Sequence, residues 1–135
     1  MPSLSGHCLC GKIRISGTVE IKGIPNCHCT ECRRATGATF ATMLFVTDSA
    51  IKIVGKPKIF RHKSDKGSIM EKHFCGNCGS QVFGRNSNRP GIMSLRAGIL
   101  DQIEHIEPTI NVYLDSKVPS TLINQILPGF SKMPG

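Results

Sequence analysis

The residues with the clearest chemical potential are three cysteines within six positions, in the stretch Cys27-His28-Cys29-Thr30-Glu31-Cys32. A cysteine thiolate is a ligand for soft or borderline cations, and zinc is among the ions that it binds. A structural zinc normally has four protein ligands, whereas a catalytic zinc has three and keeps one position for water or substrate. The three thiols therefore indicate an open zinc site, provided that no fourth side chain completes it.

The four remaining cysteines form two short pairs, Cys8-x-Cys10 and Cys75-x-x-Cys78. Together they supply four thiolates, which is enough for a closed tetrahedral zinc site. The seven cysteines thus divide into four and three, and we expect two zinc ions per chain. The alternative for the C-x-x-C pair is a thioredoxin-like dithiol, but that motif starts a helix, and here Gln81-Val82-Phe83 indicates a strand.

The position of His28 between two cysteines bears on whether the open site has a fourth ligand. Side chains two residues apart in an extended segment point to the same side, so Cys27 and Cys29 lie together and His28 points away. This pattern predicts that His28 lies beside the metal or contacts substrate, where it can carry a proton. In the alternative, which stays open here, His28, His7 or His73 completes the site and both zinc ions are structural.

A short helix is predicted directly after this cluster. Thr30 is a suitable N-cap residue and Gly37 a suitable end. Cys32 then lies in the first turn, where the partial positive charge of the helix N-terminus stabilises a thiolate.

The rest of the chain predicts a mainly β protein with short helices, as one domain from residue 1 to 135. Fourteen glycines and eight prolines indicate many turns between short elements. The segments expected as strands, on alternation or on β-prone apolar content, are 9–15, 18–24, 38–46, 51–54, 58–62, 69–74, 81–83, 92–98 and 110–114.

Charge and hydropathy restrict the partners and the location. The formal net charge is +8, but the basic residues are scattered and few aromatic residues accompany them, so we do not expect nucleic acid as the partner. No stretch approaches the roughly 20 apolar residues of a membrane span, and the N-terminal residues do not resemble a signal peptide. Because free thiols persist in a reducing compartment, we expect a soluble cytoplasmic protein, which in a eukaryotic cell can also be nuclear.

The cysteine motifs resemble those of a known family. In order, the chain carries Gly6-x-Cys8-x-Cys10-Gly11, Cys27-His28-Cys29-x-x-Cys32-Arg33-x-x-Thr36-Gly37, Phe74-Cys75-x-x-Cys78-Gly79-Ser80 and Arg96-Ala97-Gly98-x-Leu100-Asp101. This series is similar to that of the glutathione-dependent formaldehyde-activating enzyme family, also called the centromere-protein-V family, from about Gly6 to about Pro119. The resemblance implies a β-tent fold of small antiparallel sheets.

The same resemblance implies a role for each zinc ion. It implies a structural zinc on Cys8, Cys10, Cys75 and Cys78, and a second zinc on Cys27, Cys29 and Cys32 whose open position is reactive. The implied activity is that of a carbon–sulfur lyase on a small-molecule thiol adduct such as S-hydroxymethylglutathione. The alternative is a non-enzymatic, zinc-stabilised binding module for chromatin or another anionic partner, because one branch of the family is associated with chromatin.

Overall fold

The computed structural model describes residues 1–134, and most of the regular structure in this range is β-strand. One α-helix, α1, comprises Thr30–Thr36, and no helix in the described range is both long and apolar enough to cross a membrane. The strands are β1 (Ser3–His7), β2 (Arg14–Thr18), β3 (Ile21–Gly23), β4 (Pro25–Cys27), β5 (Ala41–Thr47), β6 (Lys52–Val54), β7 (Lys58–Lys63), β8 (Ile69–Phe74), β9 (Gln81–Asn86), β10 (Ile92–Arg96) and β11 (Ile110–Val112). Four short 3-10 helices comprise Asp48–Ala50, Ala97–Ile99, Ile103–His105 and Leu114–Ser116.

The strands form two sheets of unequal size. The smaller sheet has the order β1-β2-β6, and the larger has the order β11-β4-β5-β10-β9-β8-β7, with β3 paired to β5. Every pair of these strands is antiparallel except β4 with β11, which is parallel. The predicted mainly β fold with small antiparallel sheets and short helices is therefore confirmed, although the larger sheet has eight strands.

The hydrophobic core lies between the two sheets, because each contributes one apolar face. Ile13 and Ile15 come from the side of the smaller sheet, and Leu44, Leu95 and Phe83 from the larger one. Since side chains alternate along a strand, the other face of the larger sheet is free to carry polar groups. That second face holds the candidate site.

Several local predictions differ from the observed structure, and two of the differences lie next to the cysteines. Residues 9–15 were expected as a strand because their apolar residues alternate, but residues 9–13 form the turn between β1 and β2. The backbone N–H of Gly11 donates to the carbonyl of Cys8 (3.0 Å), and Gly11 adopts a positive φ of 79° that closes this turn. The N-cap of α1 is Cys29 rather than Thr30, whereas the predicted end at Gly37 is confirmed.

Candidate metal centres and the surrounding site

The sulfur atoms of Cys8, Cys10, Cys75 and Cys78 form one compact group. All four lie within 4.8 Å of one another, with 3.7 Å between Cys8 and Cys10 and 3.6 Å between Cys10 and Cys75. The first pair lies in the turn after β1, and the second in the knuckle between β8 and β9. This group therefore joins the smaller sheet to the larger one.

Hydrogen-bond donors stabilise negative charge on these sulfur atoms. The backbone N–H of Ile13 donates to Sγ of Cys8 at 3.3 Å, and that of Asn77 donates to Sγ of Cys75 at 3.4 Å. The hydroxyl of Ser80, 3.3 Å from Sγ of Cys78, lowers the pKa of this thiol to about 5. Because the thiolate is the form that binds metal, the surroundings favour ligation.

The second group consists of Cys27, Cys29 and Cys32, whose sulfur atoms also lie within 4.8 Å of one another. Cys27 ends β4, Cys29 is the N-cap of α1, and Cys32 lies in its first turn. Sγ of Cys29 accepts the backbone N–H of Cys32 at 3.2 Å, so the helix start itself supports the sulfur. Within residues 1–134, no histidine, carboxylate or further cysteine joins this group at the same spacing.

The three thiols of this group oppose one another's ionisation. In the thiol form, a hydrogen bond from Cys27 lowers the pKa of Cys29 to about 2, and the same contact raises the pKa of Cys27. One thiolate forms readily and opposes ionisation of its neighbours. A divalent cation removes this conflict, since it replaces the shared protons, and thiolate donors suit zinc. Both cysteine groups could thus hold a zinc ion.

Two basic side chains share the sheet face that carries Cys27. Strand register places Arg96 of β10 opposite Met43 of β5, and Lys72 of β8 opposite Gly84 of β9. Because Cys27 pairs with Ala41, two residues before Met43, these side chains project from one face. Burial lowers the pKa of Arg96, and the thiolates of Cys32, Cys27 and Cys29 act against this shift.

The guanidinium of Arg96 is held by neutral partners. Its Nε donates to Oε1 of Gln81 at 3.0 Å, and one Nη donates to Sδ of Met43 at 2.7 Å and to Oγ of Ser94 at 3.3 Å. Nε2 of Gln81 in turn donates to the carbonyl of Ala35 in α1 at 2.6 Å. Gln81 therefore connects the arginine with the helix that carries Cys32.

Lys72 is the second cation near the three thiols, and its side chain is buried. Burial lowers the pKa of this amine, and the like charge of Arg96 lowers it further. Cys32 and Glu31 act in the opposite direction. Its Nζ lies 2.6 Å from Nε2 of His62, which accepts a hydrogen bond when the imidazole is neutral. Arg96 and Lys72 therefore place two basic side chains near the three thiols.

Tyr113 and Met133 form a wall beside the three-thiol group. Both pack against the apolar cluster of Cys27, Met43 and Val112. Tyr113 has a positive φ of 56°, which is uncommon for a non-glycine residue, and burial raises the pKa of its phenol to about 12. Such strained backbone is frequent at functional sites.

Met133 reaches this cluster because residues 128–133, the C-terminal segment, return beside β11. The N–H of Asn111 donates to the carbonyl of Pro128 (2.9 Å). The N–H of Phe130 donates to the carbonyl of Asn111 (3.0 Å). Lys132 also forms an ion pair with Asp115 at 2.8 Å. The C-terminal segment thus becomes a wall of the site.

His28 is buried, at 1% exposure, and lies outside the group of three sulfur atoms. Its ring is 4.9 Å from that of Phe40, centroid to centroid, and neither ring nitrogen has a hydrogen-bond partner within residues 1–134. Burial lowers the pKa of His28, against the effect of the Asn111 side chain. The imidazole is therefore neutral near pH 7, and its role as a proton carrier stays a prediction.

The sequence pattern assigned no role to four of the residues around the three thiols: Lys72, Arg96, Tyr113 and Met133. Arg96 and Lys72 reach the site through strand register across the larger sheet, for which the sequence contains no local signal. Tyr113 and Met133 reach it through the return of the C-terminal segment. Arg96 had two signals, since it is a charged residue at the end of a mostly apolar strand and it begins one of the family motifs.

Comparisons with known proteins identify the family and the fold of this chain. Residues 3–116 match the model of the family described as glutathione-dependent formaldehyde-activating enzyme. An uncharacterized lyase of Schizosaccharomyces pombe is 27% identical over 117 residues, which cover 87% of this chain and 82% of that protein. A crystal structure of a Rhodobacter sphaeroides protein has the same fold, with a TM-score of 0.57 and 22% identity over 77% of this chain and 91% of that one.

The chain is shorter than several other relatives. Proteins of Aspergillus terreus, Emericella nidulans and Phaeosphaeria nodorum whose names refer to the same family match over 46%, 40% and 43% of their own lengths. The matched family model nevertheless covers most of the present sequence, from the first strand to the last 3-10 helix. The chain therefore belongs to the glutathione-dependent formaldehyde-activating enzyme family, a family of carbon–sulfur lyases.

Proposed function

We propose that this protein is a zinc-dependent carbon–sulfur lyase that acts on an adduct of a thiol and an aldehyde, such as S-hydroxymethylglutathione. The observation that carries the proposal is the group of Cys27, Cys29 and Cys32. It offers three thiolates, and within residues 1–134 no histidine, carboxylate or further cysteine joins it. In this proposal the chain holds two zinc ions, one closed and structural on the four-cysteine group and one open and catalytic on the three.

The reaction is balanced within the adduct itself. The carbon–sulfur bond of the hemithioacetal breaks and its electron pair goes to sulfur, while the O–H electron pair becomes the second bond of the aldehyde carbonyl. The hydroxyl proton ends on the thiol. A zinc ion bound by Cys27, Cys29 and Cys32 would supply a Lewis acid that ionises the thiol or polarises the carbonyl.

The side chains around the three thiols prepare the site for anionic sulfur. Arg96 and Lys72 offset the negative charge of the thiolates in a site of low dielectric, where such interactions are stronger than in water. Tyr113 and Met133 cover the apolar side of the group and exclude water there. His28 is the proposed proton carrier.

The test is the turnover of the glutathione–formaldehyde adduct by zinc-loaded protein. Cys32→Ala should lower kcat by more than about 100-fold, because it removes a ligand of the open site, while the fold and the other zinc remain. Arg34→Gln, an exposed change on the same helix, is the matched control and should leave turnover unchanged. Equal turnover in wild type and Cys32→Ala would refute the assignment of this group to catalysis.

The formal charge of +8 favours one alternative, a zinc-stabilised module that binds chromatin or another anionic partner. Such binding must weaken steeply with salt, because it releases counterions from phosphates. If the protein binds duplex DNA at physiological ionic strength and shows no lyase turnover, this alternative is supported. For either function we propose a reducing compartment such as the cytoplasm, since all seven cysteines are free thiols.

A further inference from the structure

Gly84 makes room for the guanidinium of Arg96 on the face of the larger sheet. Gly84 lies opposite both Lys72 and Ser94, one on each neighbouring strand. A Cβ at this position would lie 3.0 Å from Oγ of Ser94 and 3.1 Å from an Nη of Arg96. The missing side chain therefore allows the guanidinium of Arg96 to lie across β9 on the sheet face that carries Cys27.

Arg96 has hydrogen-bonding capacity that its neighbours do not use. Nε and one Nη donate to the neutral acceptors Gln81, Met43 and Ser94. Within residues 1–134, the other Nη donates no hydrogen bond and no carboxylate forms an ion pair with Arg96. A guanidinium whose partners are all neutral can still bind an anion, and its planar fork suits a carboxylate.

Arg96 also lines a cavity of about 310 Å³ between the end of α1 and the strand that follows Cys78. This volume lies at the lower end of the range for small-molecule sites, about 300–1,000 Å³. Polar and apolar side chains both contribute to the walls, as recognition of a small polar ligand requires. Besides the arginine, the lining includes Thr36, Phe40, Thr42, Gln81 and Gly98.

No carboxylate pairs with the two basic side chains on this face. Within the described residues neither Arg96 nor Lys72 forms an ion pair, and a carboxylate oxygen of Glu31 lies 4.0 Å from Nδ1 of His62 instead. A charge in a partly buried site is stable when an opposite charge pairs with it.

We propose that Arg96 binds a carboxylate of the thiol substrate in this cavity, so that the enzyme selects anionic thiols. The inference rests on the proposed lyase function, because it assumes that the thiol of the same substrate reaches the three-cysteine group. Arg96 is then a specificity-determining residue that contacts substrate. Gln81 positions it through the hydrogen bond to Nε.

The test compares two thiols of equal size on zinc-loaded protein by calorimetry. The probes are 3-mercaptopropionate and 3-mercaptopropionamide, in which a neutral amide replaces the carboxylate. Wild type should bind the carboxylate about 10- to 100-fold more tightly, the factor expected for hydrogen bonds to a charged group. Arg96→Gln should reduce this preference to less than about 3-fold, and Arg96→Lys should keep part of it.

Arg34→Gln is the control on the exposed surface of α1 and should keep the wild-type preference. A wild type without preference would overturn the inference, and this result does not depend on how any variant folds. An equal loss of affinity for both thiols in Arg96→Gln would also overturn the inference, because it would mean that Arg96 acts only on the cysteine group and not on the carboxylate. If neither thiol binds to wild type, both this inference and the proposed function are refuted. If the carboxylate binds more tightly than the amide but the glutathione–formaldehyde adduct is not turned over, Arg96 remains an anion-binding residue and only the lyase function is refuted.

Discussion

The Sγ atoms of Cys10 and Cys75 lie 3.6 Å apart, although 65 residues separate them in the chain. This contact joins the turn after β1 to the knuckle after β8, and thus the smaller sheet to the larger one. A metal at this position closes a long loop, so it removes conformational entropy from the unfolded chain as a cross-link does.

We therefore predict that Cys75→Ala is strongly destabilising. The change should lower the free energy of unfolding by more than about 4 kcal/mol, because structural zinc contributes directly to folding. Thermal unfolding followed by circular dichroism, together with zinc content, measures the effect.

Cys32→Ala is the matched control, since it removes one thiol from the other group. It should keep one zinc per chain and most of the thermal stability, because the four-cysteine group is intact. A Cys75→Ala protein that melts at the wild-type temperature would show that this group does not hold the fold together.

The group of three cysteines was predictable because it depends on local spacing. Ligands two or three residues apart can reach one ion, and Cys27, Cys29 and Cys32 satisfy this without any knowledge of the sheet. The backbone conformation that brings the three sulfur atoms together was less predictable. The N-cap is Cys29 rather than Thr30, because the sulfur of Cys29 accepts a hydrogen bond from the backbone N–H of Cys32.

The surroundings of the site could not be predicted from local patterns. Arg96 lies near the three thiols only because β10 pairs with β5 in one particular register, and a shift of one residue would direct it into the core. Met133 depends on the return of the chain beside β11. Both relationships are tertiary, and the resemblance to a family included Arg96 in a motif without a role and did not include Met133.

His28→Leu tests the predicted catalytic role of the histidine. Leucine has a similar volume and replaces a buried ring whose two nitrogens have no partner within residues 1–134, so the fold should be retained. If His28 carries the proton, kcat should fall by about 10²–10⁴-fold with zinc content unchanged. Turnover equal to wild type would show that the ring only fills space beside Phe40.

The same variant should change the response of stability to acid. Burial lowers the pKa of His28 in the folded protein, so the unfolded chain binds a proton more readily. The stabilising effect of the neutral ring is complete above the unfolded pKa, about 6.5, and is lost as the pH falls towards the lower folded value. Between pH 7.5 and 5.5, wild type should therefore lose more stability than His28→Leu, as measured by urea unfolding.

Gly84→Ala should displace the arginine without removing it. The added Cβ would lie 3.0 Å from Oγ of Ser94 and 3.1 Å from the guanidinium, so the neighbours must move, at a cost of about 1–3 kcal/mol. Binding of 3-mercaptopropionate should weaken more than binding of its amide. Gly23→Ala is the control, because its Cβ would meet only Phe45, at an ordinary 3.7 Å. If Gly84→Ala and Gly23→Ala have the same preference for 3-mercaptopropionate over its amide, the space at Gly84 does not position Arg96.

Met133→Ala tests whether the C-terminal segment limits the substrates that reach the three thiols. Met133 is partly buried against the cluster of Cys27, Met43 and Val112, so its truncation should open space there and cost about 1–2 kcal/mol of stability. The ratio of kcat/KM for a bulky thiol adduct to that for a small one should rise. Leu122→Ala, at a side chain that is 94% exposed, should change neither stability nor this ratio. If the ratio stays constant in Met133→Ala while stability falls, the methionine contributes only to packing.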